Sequence, residues 1–89
     1  MMDLHAVPRK SPNSAYRVYD GQATIVLPDR AEVNVLNEIG SLVWERMDGA
    51  RTVAQLIEAV LAEYDIPPES ARRDVLEFIE DLRQHGMVT

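Results

Sequence analysis

Apolar and polar positions along this chain change period once, and the change divides it into two halves. From Ser14 to Leu36 the pattern is short and strand-like. Ser14–Asp20 carries Tyr16, Val18 and Tyr19, and Gln22–Leu27 is rich in β-branched residues (Thr24, Ile25, Val26). Between them Asp20-Gly21 is a hairpin signal, because glycine reaches the positive φ that tight hairpin turns demand. Pro28-Asp29-Arg30 predicts a second turn, since proline presets φ and cannot donate to a ladder. Ala31–Leu36 then alternates, with Val33 and Val35 on one face and Glu32 and Asn34 on the other. Two tight turns make a three-stranded antiparallel meander the simplest arrangement.

From Asn37 onward the period is helical. Asn37 is a plausible N-cap, and Ile39, Leu42, Val43 and Met47 form one stripe with Trp44 beside it. Asp48-Gly49 ends this helix. Thr52 with Gln55 three residues on is a capping-box signature, and Val53, Leu56, Ile57, Val60, Leu61 and Tyr64 repeat at helical spacing behind it. Asp65–Pro67 breaks that helix, and Pro68 suits the first turn of the next. The third helix offers Ala71, Val75, Phe78, Ile79 and Leu82 as a buried stripe and stops at Gly86, leaving Met87-Val88-Thr89 to pack or pair. Residues 1–13, with Pro8, Arg9, Lys10, Ser11, Pro12 and Asn13, resist regular structure and read as a flexible tail before a domain at 14–89. The expected class is α+β: a three-stranded antiparallel sheet followed by three helices, a winged helix-turn-helix-like plan.

Composition narrows what such a domain does. Its 89 residues, 46% hydrophobic, suit one core. With no cysteine, disulfides, thiolate metal sites and cysteine nucleophiles are excluded, and a reducing cytoplasm is the compatible location. No apolar run approaches the roughly 20 residues that span a bilayer, so no membrane partner is expected. A formal net charge of −6 argues against a nucleic-acid partner, which calls for a basic surface. His5 and His85 have no companion at metal-ligand spacing, and there is no glycine-rich phosphate loop or nucleophile elbow. The expectation is a binding module without catalytic residues, cofactor or metal. An acyl-carrier role fails because neither Ser41 nor Ser70 stands in the Asp-Ser-Leu setting that a phosphopantetheine arm needs.

The third helix has two unlike shoulders. With Ala71, Val75, Phe78 and Leu82 toward the core, one shoulder holds Arg72, Leu76 and Arg83 beyond Ile79, and the other holds Asp74, Glu77 and Asp81. The first is an apolar strip with a basic rim, which is either a widened buried face or the wall of a peptide groove. If the third strand lies at a sheet edge, its backbone can take up an added strand.

The succession Leu36-Asn37-x-x-Gly40-x-x-Val43-Trp44, Asp48-Gly49-x-Arg51-Thr52-Val53, Asp74-Val75-x-x-Phe78-x-x-x-Leu82 and Gly86-Met87-Val88 resembles the PqqD-like family. That resemblance implies a RiPP recognition element, a peptide chaperone that binds the leader of a ribosomally made precursor as an added strand. It also implies presentation of the precursor to a modifying enzyme, often a radical SAM protein. Carried over by position, the peptide-binding residues are Glu32, Val33, Asn34 and Val35 on the strand, with Arg72, Leu76, Ile79 and Arg83 on the helix. Members serving pyrroloquinoline quinone (PQQ) biosynthesis tend to show a Tyr-Pro-Glu-Gly-like turn where this chain has Leu27-Pro28-Asp29-Arg30, so the resemblance points to another peptide or maturase. The alternatives are a DNA-associated or regulatory winged-helix protein, or a scaffold subunit of a maturase. If the third strand is exposed, a homodimer is open to the chain, either swapped or paired edge to edge.

Overall fold

The structure, a computed structural model, describes residues 3–12, 14–27 and 32–89. Strands β1 (Ala15–Tyr19), β2 (Gln22–Leu27) and β3 (Glu32–Val35) form an antiparallel sheet in the order β1-β2-β3. Helices α1 (Glu38–Arg46), α2 (Val53–Glu63) and α3 (Pro68–Gln84) follow. The α+β architecture read from the sequence is the observed one. Asp20 and Gly21 both take positive φ, 55° and 78°, which lets a two-residue loop join Tyr19 to Gln22. The turn expected at Pro28–Arg30, the strand start at Ala31 and the tail residues Met1, Met2 and Asn13 lie outside the described residues.

Pairing fixes which face each strand presents. Ala23, Ile25 and Leu27 of β2 are buried against the helices, together with Val43, Trp44, Leu56, Val60, Val75 and Ile79. Val33 and Val35 pair with Val26 and Thr24, so they share the opposite face of the sheet and stand 62% and 66% exposed. Asn34, opposite Ile25, is on the helix side.

The helix ends follow local chemistry. Asn37 Oδ1 accepts from Gly40 N at 2.7 Å, and the Thr52–Gln55 capping box is closed in both directions. At the other end of α3, Gly86 N donates to Arg83 O and Met87 N to Leu82 O, a Schellman turn with Gly86 at φ 78°. That turn sends Met87-Val88-Thr89 back along the molecule.

The N-terminal segment is not a free tail. Arg9 and Thr89 exchange backbone hydrogen bonds, Ser11 N donates to Met87 O, and Lys10 bridges Val88. Further upstream, Ala6 O and Leu4 O accept from Val53 N and Ala54 N at 2.9 and 3.1 Å. Those are the first two N–H groups of α2, which no intrahelical carbonyl can reach. The segment is thus a strap that caps one helix and pairs with the chain end. Pro8 is buried beneath it, Leu4 and Ala6 pack on the core, and Lys10 Nζ sits over the rings of Tyr16 and Trp44. Its polar residues argue for a tail in the sequence because the hydrogen bonds that hold it are made by backbone groups, which leave no side-chain signature.

Candidate functional site: the edge of β3 and the cleft beside α3

One serine decides how β3 meets the body of the domain. Leu36 N donates to Ala23 O at 2.8 Å, but the reciprocal bond is relayed. Ala23 N donates to Ser41 Oγ at 2.7 Å, and Ser41 Oγ donates to Leu36 O at 3.4 Å. Ser41, in the first turns of α1, is the buried polar side chain of the core among the described residues. It ties the end of the β2–β3 ladder to the helix that follows.

Because Leu36 and Ala23 form a hydrogen-bonded pair, the alternation of an antiparallel ladder turns Glu32, Asn34 and Leu36 toward β2 in their backbone groups. Val33 and Val35 therefore turn their N–H and C=O outward. Among the described residues no strand pairs with that outer side. It is an open template for another extended chain.

Beside this edge lies a cleft of about 230 Å³, lined by Asn34, Val35, Leu36, Asn37, Phe78, Asp81, Leu82, His85 and Met87. Its lining mixes polar and apolar groups: Leu36, Leu82 and Met87 are buried, and Asn34 Nδ2 reaches Met87 Sδ at 3.9 Å. The wall is α3, presenting Phe78, Asp81 and His85. Asp81 Oδ1 lies 3.5 Å from His85 Nε2, and both side chains are well exposed. Phe78 packs close to the start of α1, where a Cβ on Gly40 would stand 3.3 Å from the ring and 3.1 Å from the capping oxygen of Asn37. A side chain at position 40 would press the ring and the cap back by a few tenths of an ångström.

These contacts separate the residues expected to bind peptide. Val33, Asn34 and Val35 are at the edge, and Glu32 begins the strand opposite Leu27. The helix set does not join them. Ile79 is fully buried in the core, and Arg72, Leu76 and Arg83 are not among the residues that line the cleft. Leu76 lines a neighbouring groove with Arg73, Glu77, Glu80, Asp81 and Gln84, which shares Asp81 with the cleft, while Arg83 is held by Glu80 at 2.6 Å. That contact lowers the Glu80 pKa and raises that of Arg83. The reason is the roll of the helix. Its buried line is Ala71, Val75, Ile79 and Leu82, so Phe78 moves from the centre of the stripe to its rim. The shoulder facing β3 is consequently the acidic one. Phe78, Asp81 and His85 line the cleft and were not among the expected residues; Gly40, a glycine inside a helix just after the strand, was the available signal for a bulky ring packed there.

Comparison with known proteins places this arrangement. The family model for Coenzyme PQQ synthesis protein D (PqqD) matches residues 23–88, more than half of the chain. The chain belongs to the PqqD family. The PqqD match takes in β2 from Ala23 on, β3 and all three helices, hence every residue that lines the cleft. A PqqA binding protein of Xanthomonas oryzae pv. oryzae is 35% identical over 67 residues, covering 75% of this chain and 71% of the relative. Its counterpart in Xanthomonas euvesicatoria pv. vesicatoria is 33% identical over the same shares. The fold is also that of TbiB1, solved in complex with the TbiA(beta) leader peptide, with a TM-score of 0.83 at 18% identity over 90% of this chain and 93% of TbiB1. A lasso peptide synthetase B1 complexed with its leader peptide gives 0.84 at 21% identity over 94% and 99%.

Proposed function

We propose that this chain binds the leader segment of a ribosomally made precursor peptide by accepting it as a fourth strand on the outer edge of β3. The observation that carries the reading is the outward backbone of Val33 and Val35, without a pairing strand among the described residues, beside a cleft of mixed polar and apolar lining. Main-chain hydrogen bonds to these two residues give grip. Alternate side chains of the bound strand drop toward Phe78 and Leu82 and give selectivity. Support comes from the names of the relatives, which bind PqqA, and from the leader peptides held by the two structural neighbours. The helix side of the groove is Phe78, Asp81 and His85 in place of Arg72, Leu76 and Arg83.

The domain performs no chemistry in this scheme; it presents the rest of the precursor to a modifying enzyme in the cytoplasm, a radical SAM protein being the class the family resemblance implies. A second copy of the chain could pair at the same edge, so leader binding and β3–β3 dimerisation exclude each other. The test is an NMR titration of the labelled chain with the precursor peptide encoded beside its gene, repeated on Val35→Pro. Shifts centred on Val33, Val35, Phe78 and Asp81 that vanish in the variant are expected. Shifts on Arg72, Leu76 and Arg83 instead, or an unaffected variant, would refute strand addition at β3.

A further inference from the structure

We infer that the peptide fitting this cleft carries a lysine or arginine next to an apolar residue at alternate positions of its bound strand. This rests on the strand-addition reading and specifies its ligand. A strand on β3 turns every second side chain toward α3, at intervals of roughly 7 Å. On that wall Phe78 and Asp81 lie three residues apart, about 4.5 Å along the helix axis, within reach of two successive inward side chains of the peptide. The first meets a ring and the buried Leu36, Leu82 and Met87, which reward an apolar group.

The second meets the Asp81 carboxylate, whose side chain is 68% exposed. His85 Nε2 stands 3.5 Å from it and Arg73 shares the neighbouring groove with it, but no arginine of α3 lines the cleft itself. Arg83 is engaged by Glu80, and Arg73 stands 3.6 Å from Asp74. The whole chain, at −6, adds a field of the same sign. An acidic leader would bring like charge to Asp81, whereas a basic side chain completes a charge-assisted hydrogen bond there.

The experiment is selection of a displayed library of random peptides on the full chain and, in parallel, on Asp81→Arg. An exposed arginine near the C-terminal end of a helix is compatible with its dipole, and circular dichroism checks the fold. Asp81→Asn serves as the second variant if the first unfolds. Winners are mapped on the labelled chain by NMR at low ionic strength, where exposed pairs are least screened. Peptides that shift Val33 and Val35 are expected to carry Lys or Arg two residues from an apolar residue. They should bind Asp81→Arg about fivefold more weakly, and replacing their basic residue by Glu should reverse the order of the two proteins. Winners that occupy β3 with no basic preference, or that ignore the Asp81 variants, would overturn this inference and leave strand addition standing. Winners that never touch β3 would overturn strand addition itself.

Discussion

Replacing Ser41 by alanine removes one oxygen and should cost more than its size suggests. Ala23 is fully buried, and its N–H has Ser41 Oγ as partner at 2.7 Å. Without that oxygen a backbone donor is left dry, which costs about 1–3 kcal/mol. The loss of the longer contact to Leu36 O adds little at 3.4 Å. Alanine returns some of this, since it is the better helix former by roughly 0.5 kcal/mol. The net is a destabilisation of about 1–2 kcal/mol, and a domain of this size turns that into a Tm lower by about 4–15 °C. Trp44 provides the assay: it is the chain's single tryptophan and is fully buried, so its emission reports unfolding by heat or urea. An unchanged urea dependence with a lowered midpoint would show a loss of stability with no change in the surface exposed on unfolding. If the Tm stays within experimental error and the Ala23 amide exchanges as slowly as before, the strands have closed to a direct Ala23–Leu36 bond. The hydroxyl would then be a convenience, and the reasoning fails.

Gly40→Ala should leave the domain folded yet weaken leader binding several-fold, because the new methyl presses on Phe78 and on the Asn37 cap; isothermal titration against the cognate leader measures it. Deleting residues 1–8 strips two acceptors from the start of α2 and uncovers the core under Pro8, and a loss of about 2–4 kcal/mol is expected in urea unfolding. A folded chain of unchanged midpoint would show the strap to be ornamental. Asp48 is held below the ordinary carboxylate range chiefly by N–H donors of Ala50 and Arg51, and Glu80 by Arg83. Groups lowered by folding contribute stability that is full above their unfolded pKa and is lost as pH falls through the folded one. The midpoint should therefore hold near neutrality and fall below about pH 4, less steeply in Arg83→Met.

The elements were legible because each rests on local chemistry. Asp20-Gly21 names its turn, Thr52 with Gln55 its capping box, and Gln22–Leu27 its strand, with no reference to distant parts of the chain. The candidate site was only half legible. The third strand was placed correctly, but periodicity states which residues share a face of α3 and not how far the helix rolls. That roll depends on what the helix leans against, and Phe78 leans on the start of α1 at Gly40, a contact between residues 38 positions apart in sequence. Counting Phe78 as central and Ile79 as marginal pointed to the basic shoulder; their exchange moves the wall to the acidic one. The strap escaped for a different reason, since carbonyl oxygens at Leu4 and Ala6 are common to every residue type.

The two-residue passage Leu36-Asn37 between β3 and α1, pinned by Ser41 and backed by Phe78, makes the template edge and the wall of the cleft parts of one body. An incoming peptide therefore meets a surface that has already been ordered by folding, and the entropy of association falls on the peptide alone. Affinity should then respond to the stiffness of the leader more than to any loosening of the domain. A leader cyclised in its extended form, with the same side chains, would bind tighter with a smaller entropic penalty.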